Sequence, residues 1–382
     1  MDTRKVRLFT GGRHPDLAKG ICDCLDLPLG RINHQALHPD GDEKIDIGEC
    51  VRGCTCIIIQ TTVKPEATSW SELFLLIDAI WRAHAKEIII VVPNYGGARQ
   101  ERREQNRVPI TAKVIADGIE SCKVSRAIFL DLHADAIDGF FNNTRVEKLT
   151  ALPLTIAILS DMERNNLVFG GPDLHAAKVI AVPMSKALQP STISAIAKIR
   201  TNDRETETLF VLGDTNGKDV ECGDDLLTTG GSADGAANSW CSSGAREVRL
   251  NITHPMLVGN FEKNLSNPRI SRIRVTNSTP LTHGIPEGIL AKMDVLDVAP
   301  LFSEAIKVVL QDDPGYPMHR LLTPQFWLEP ARRGKILLSR KDWSIETKEE
   351  RELLELMLKV ASQREAKIKE YINATASRRS VP

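Results

Sequence analysis

Residues 56–62 read Cys56-Ile57-Ile58-Ile59-Gln60-Thr61-Thr62, a β-branched apolar run that stops at amide and hydroxyl side chains. A helical pattern follows from about Glu72 to Ala85, with Leu73, Leu76, Ile77 and Ile80 at three- and four-residue steps. The rhythm then repeats. Ile88 to Val92 is a second run ending at Pro93, Ile110 to about Ser121 is a second helix, and Ala127-Ile128-Phe129-Leu130 is a third run ending at Asp131-Leu132-His133. Strands apolar on both faces and separated by helices predict a parallel sheet covered on both sides, hence an α/β fold.

The second half keeps this rhythm. Candidate strands lie near Leu167–Phe169, Ile193–Ile199, Leu209–Leu212, Val248–Ile252 and Ile273–Val275. The polar stretch Thr201–Thr208 has no apolar period and reads as a mobile loop. Domains are expected at 1–150 and 151–310. A region at 311–382 follows, loop-rich to about Ser344 and then one long helix over Thr347–Ile372. A chain of 382 residues holds two domains with room for such an appendage.

Composition narrows the function classes. Lys and Arg number 49 against 50 Asp and Glu, which argues against a general nucleic-acid binder. No apolar run is long enough to cross a bilayer, and the start MDTRKVRLFTGG lacks a signal-peptide core. The eight cysteines are scattered without zinc spacing and read as reduced thiols of a cytoplasmic protein.

Chemistry concentrates at Asp224-Asp225-Leu226-Leu227-Thr228-Thr229-Gly230-Gly231-Ser232, followed by a helical stretch from Ala233. Adjacent carboxylates can grip vicinal sugar hydroxyls or a hydrated metal. Glycines let backbone N–H groups approach a ligand closely, and the helix N-terminus after them favours a phosphate. Arg99, Gln100, Arg102 and Arg103 follow a strand end and a Gly-Gly turn, a natural phosphate clamp at the carboxyl edge of a parallel sheet. His133 ends a strand between Asp131 and Asp135, where it can meet Mg²⁺ or nucleotide phosphates.

The Thr228–Ser232 segment resembles the ribose-5-phosphate loop shared by phosphoribosyltransferases and phosphoribosyl diphosphate (PRPP) synthetases. Motifs along the N-terminal half separate the two in favour of the synthetases. They are Leu8-Phe9-Thr10-Gly11-Gly12 before His14-Pro15-Asp16, Asp40-Gly41-Asp42, Pro93 to Arg103, Val108 to Lys113, and Asp131-Leu132-His133-Ala134-Asp135 leading to Gly139-Phe140-Phe141. The resemblance covers about residues 6 to 307 and implies two phosphoribosyltransferase-like, Rossmann-like domains with mainly parallel sheets. It further implies Mg²⁺-dependent transfer of diphosphate from ATP to the C1 hydroxyl of ribose 5-phosphate by a homo-oligomer, dimer-based and hexameric in form.

The resemblance also assigns roles. Asp40, Asp42, Arg99, Gln100, Glu101 and His133 fall on the ATP side. Asp224, Asp225, Thr228, Thr229, Gly230, Gly231 and Ser232 fall on ribose phosphate, and His133 and Asp173 on Mg²⁺. Lys198 and Arg200 match the catalytic lysine and a following arginine of a loop that covers the phosphates. The chain departs from the pattern at Ile199, Thr201-Asn202, His175-Ala176, Thr228, Asp42, Glu101 and the polar strand Val220–Gly223. These departures leave open a larger acceptor such as ADP-ribose, a regulatory subunit without turnover, and a phosphoribosyltransferase.

Overall fold

The computed structural model describes residues 5–35, 44–161, 166–188, 192–200, 206–281, 284–311 and 317–338. Asp40, Asp42 and the expected helix at 347–372 lie outside the described residues.

Residues 6–149 carry seven strands: β1 (Val6–Thr10), β2 (Ile32–Gln35), β3 (Lys44–Ile47), β4 (Thr55–Ile59), β5 (Glu87–Val92), β6 (Arg126–Leu130) and β7 (Arg145–Leu149). Strands β2 and β3 pair antiparallel with each other. The others form a five-stranded parallel sheet in the order β1-β4-β5-β6-β7.

Its strands bury alternate residues on opposite faces. Leu8, Ile57, Ile59, Ile89, Val91 and Ile128 share one core with helices α1 (Pro15–Leu25) and, later in the chain, α4 (Leu152–Leu159). Phe9, Ile58, Ile88, Ile90 and Phe129 share the other with α2 (Glu66–Arg82) and α3 (Thr111–Ser121). Helix α2 starts six residues before the apolar period does, because its first turn is held by Ser69 Oγ donating to the Val63 carbonyl (2.7 Å) rather than by burial of a stripe.

After β6 the chain is fastened by Glu120 at the end of α3. Its carboxylate accepts the backbone N–H groups of Asn142, Asn143 and Thr144. Burial pushes this carboxyl up, but those hydrogen bonds outweigh it and hold the group down to about 2. The folded value lies below the unfolded one, so this contribution is full above the ordinary Glu range and is lost as pH falls. Melting temperatures of the wild type and Glu120→Gln are therefore expected to differ at pH 6, and the difference to shrink below the ordinary Glu range and vanish only as the pH falls through about 2.

The second sheet has the order β10-β9-β8-β11-β12-β13-β14. Its strands are β8 (Leu167–Gly171), β9 (Thr192–Arg200), β10 (Thr206–Leu212), β11 (Asp219–Leu227), β12 (Glu247–Pro255), β13 (Ile270–Thr276) and β14 (Met293–Leu296). All pairs are parallel except β9 with β10. Strand β10 takes in Thr206–Thr208, expected as loop, because their backbone pairs with Lys198–Arg200 across the ladder and two of the three, Thr206 and Thr208, are β-branched. Helix α4 serves both halves, with Leu154 and Ala157 in the first core and Ile156 and Leu159 in a cluster with Phe169 and Met184.

The remaining helices are α5 (Leu174–Ala176), continued through a π turn (Ala177–Ala181) into α6 (Val182–Leu188), then α7 (Gly231–Ser242), α8 (Phe261–Leu265), α9 (Glu287–Leu290), α10 (Ala299–Gln311) and α11 (Pro324–Arg332). Residues 317–338, expected as loop, instead continue the core. Leu321, Trp327 and Ile336 pack with Val298, Phe302 and Ile306 on the first sheet. The backbone of Ile336–Leu338 pairs with β14 through Leu338 N–H to the Val295 carbonyl (2.9 Å) and Asp297 N–H to the Ile336 carbonyl (3.0 Å). Trp327 is 2% exposed and its indole donates to the Leu321 carbonyl. Trp327→Ala is expected to cost about 3–5 kcal/mol in denaturant titrations, as a cavity plus an orphaned carbonyl.

Candidate active site

The carboxyl ends of the two sheets face a common cleft of about 1040 Å³. This is where open parallel sheets place ligands, because loops rather than side-chain layers occupy that edge. Arg99, Gln100 and Glu101 line it from the turn after β5, His133 from the end of β6, and Asp173 from the end of β8. Asp224 and Asp225, near the end of β11, and the loop Thr228–Ser232 complete it. Arg99, Gln100, Glu101, His133, Asp173, the acid pair and the Thr228–Ser232 loop thus share one cavity. The backbones of Lys198 and Arg200 lie at the far end of β9, opposite Thr208 and Thr206. Arg103 does not line the cleft, and Arg102 does so while paired with Glu101 (3.6 Å) and Glu104 (3.8 Å).

The two halves meet through His133 Nδ1 and Asp225 Oδ2, 2.7 Å apart. The hydrogen bond to Asp225 pushes the His133 imidazole up, against the opposing effect of burial. In Asp225 burial pushes up, but the hydrogen bond and charge of His133 prevail and hold the carboxyl below its ordinary range. Asp224 is pushed well above that range by burial and by the charges of Asp225 and Asp173. The adjacent carboxylates are therefore pushed in opposite directions, Asp225 toward its ionised form and Asp224 toward its protonated one.

The phosphate-type loop is braced from behind. Gly230 adopts φ +75°, and a Cβ there would stand 3.2 Å from Leu265 and 3.3 Å from Asn264. Asn264 Nδ2 donates to the Thr229 carbonyl (2.7 Å), and Gly231 opens α7 directly afterwards. This leaves the start of a 12-residue helix facing the cleft beside the Gly-Gly pair. At the corresponding turn after β8, Asp173 Oδ1 accepts the Ala176 N–H (2.8 Å), so that helix start is capped by its own side chain.

The polar character of β11 has a structural cause. Glu221 is fully buried and accepts from Arg274 (2.9 Å), Asn251 (2.8 Å) and Arg249 (3.3 Å). This network ties β11 to β12 and β13 beneath the acid pair. Sequence reading missed Lys64, Glu66, Tyr95 and His254, which also line the cleft. His254 Nε2 faces the carbonyls of Leu130 (3.2 Å) and Asp131 (3.3 Å) and so carries the hydrogen, while Nδ1 meets Ser278 Oγ (2.9 Å). A lone histidine inside a strand offers no spacing to flag it.

A family model described as the N-terminal domain of ribose phosphate pyrophosphokinase matches residues 6–122. The ribose-phosphate pyrophosphokinase of Bacillus subtilis is 35% identical over 303 residues, 79% of this chain and 93% of that protein. That of Clostridium acetobutylicum is 34% identical over 313 residues, 81% of this chain and 96% of its own length. The chain belongs to the ribose-phosphate pyrophosphokinase family. The crystal structure of phosphoribosylpyrophosphate synthetase from Mycobacterium smegmatis superposes with a TM-score of 0.74 at 28% identity, covering 81% of this chain and all of that one. The family is one of enzymes, and its α/β fold with mainly parallel sheets is the fold found here.

Proposed function

We propose that the chain transfers the diphosphate of ATP to the C1 hydroxyl of ribose 5-phosphate, giving AMP and PRPP. The observation that carries this reading is the 2.7 Å contact of His133 with Asp225, which makes one cleft of the nucleotide-side and sugar-side motifs. The C1 oxygen attacks the β-phosphorus, the bond from that phosphorus to the α–β bridging oxygen breaks, and AMP departs. Positioning and charge stabilisation supply most of the rate in such transfers.

Asp225 accepts hydroxyl hydrogens of the ribose, and Asp224 holds the neighbouring hydroxyl. Thr228 to Ser232 and the α7 N-terminus hold the 5-phosphate. Arg99, Gln100 and Glu101 hold ATP, with the segment around Asp40 and Asp42. Lys198 and Arg200 act on the β-phosphate as charge develops there.

The residues fit Mg²⁺. His133 leaves Nε2 free while Nδ1 engages a carboxylate, the usual arrangement of a metal-facing imidazole. Asp173 keeps its second oxygen, and the raised carboxyl of Asp224 marks a place short of positive charge. Among the described residues no three His, Cys, Asp or Glu side chains form a metal cage. Mg²⁺ would lower the charge of the transferring group. No helix among the described residues is long and apolar enough to cross a membrane. A cytoplasmic homo-oligomer is the working form that the resemblance implies.

The test is a product-resolved assay with ATP and Mg²⁺, offering ribose 5-phosphate and ADP-ribose as acceptors in parallel. AMP and PRPP form with ribose 5-phosphate, and Lys198→Ala lowers that rate by about 10²-fold or more. Preference for ADP-ribose, or no AMP above the Lys198→Ala background, contradicts the proposal.

A further inference from the structure

Asp131 has φ +40°, a left-handed conformation uncommon outside glycine and tolerated best by aspartate and asparagine. Four bonds hold it. Its N–H donates to the Leu149 carbonyl (2.9 Å) and its Oδ2 accepts the Ala151 N–H (3.0 Å), both within the first half. The other two come from β12 of the second sheet: Thr253 Oγ1 donates to the same Oδ2 (2.6 Å), and His254 Nε2 donates to the Asp131 carbonyl (3.3 Å).

The first two bonds tie the turn to the end of β7 and the start of α4, beside the β6–β7 ladder. The bonds from Thr253 and His254 come from a different sheet, more than 120 positions away. Two residues after Asp131, His133 makes its own cross-sheet contact with Asp225 on β11. Strands β11 and β12 are direct neighbours, with Leu226 beside His254. The three-residue turn 131–133 is therefore gripped at both ends by adjacent strands of the other sheet.

We propose that Asp131 is a positioning residue: its left-handed turn, pinned by Thr253 and His254, sets the direction in which His133 meets Asp225. The inference rests on reading the cleft as the site of diphosphate transfer. Both bonds to the side chain fall on one oxygen, so a neutral amide can accept them equally well. Asparagine also tolerates the left-handed region, whereas alanine does neither. Serine in place of Thr253 keeps the hydroxyl, and valine keeps only the shape.

The test compares Asp131→Ala and Thr253→Val with Asp131→Asn and Thr253→Ser. The first two are expected to lower kcat by about 10- to 100-fold with KM for each substrate within about twofold, and the second two to stay near wild type. In parallel, carbethoxylation of His133 by diethyl pyrocarbonate is read by mass spectrometry on the free chain. Its rate is expected to rise in Asp131→Ala and Thr253→Val, and in neither conservative variant. Unchanged kcat and His133 modification in Thr253→Val overturns the inference, as does an Asp131→Asn variant as defective as Asp131→Ala. Should the wild type release no AMP, the functional reading fails, and the modification rates alone decide the positioning role.

Discussion

Asp225→Asn lowers kcat/KM for ribose 5-phosphate by about 10²- to 10³-fold, the scale on which removal of one preorganised charge or donor is felt in a dry site. The substitution keeps volume and one acceptor oxygen. It removes the negative charge that His133 meets at 2.7 Å and that holds the imidazole up. It also removes one of the two like charges that push Asp224 up, so Asp224 drops toward the ordinary carboxylate range. Both effects act on the same atoms: the sugar loses its ionised acceptor, and the histidine loses the partner that orients it. Initial rates of AMP formation check this, and a loss below about threefold would show that Asp225 does not grip the substrate.

Arg274→Met destabilises the fold by about 3–5 kcal/mol, because it strands part of a buried charge. Glu221 is fully buried, and Arg274, itself 4% exposed, is its closest cation. Arg249 remains, at 3.3 Å and shared with Asp219 and Glu247. Taking out both charges avoids the stranding, so Glu221→Leu with Arg274→Met is expected to recover most of the loss. Guanidinium unfolding of the two variants against wild type measures both numbers. Equal destabilisation by the single and the double change would mean that packing, not charge burial, sets the cost. Glu221 lies three positions before Asp224 and four before Asp225 on β11, so the network braces the strand that carries them.

The central strands β4, β5 and β6 were legible in the sequence because both faces are covered and every residue after a polar first one is apolar, and the candidate strands of the second half fall on β8, β9, β10, β12 and β13. The edge strands β7 (RVEKL) and β14 (MDVL) alternate with charge and give no run to read. Strand β11 was hard for the opposite reason: its polar residues face an ion network that only neighbouring strands supply. The same holds at the site. Local motifs carried Arg99, the Thr228–Ser232 loop and the acid pair, because their chemistry is contiguous. The pairing of His133 with Asp225 spans 92 positions, and the clasp of Asp131 by Thr253 spans 122, distances over which spacing says nothing. The helix over residues 324–332 escaped because a Pro inside it hides its period; Trp327 is its one fully buried residue, with Phe326, Leu328 and Ala331 packed partly buried against the same core.

The most direct test of the central claim follows label from ATP. With Mg²⁺ and ribose 5-phosphate, ATP labelled at the α-phosphorus delivers its label to AMP, and ATP labelled at the β- or γ-phosphorus delivers both labels to PRPP in equal amounts. Transfer of the γ-label alone with ADP as the second product, or no transfer to the sugar at all, would contradict a single cleft that aligns the β-phosphorus with C1.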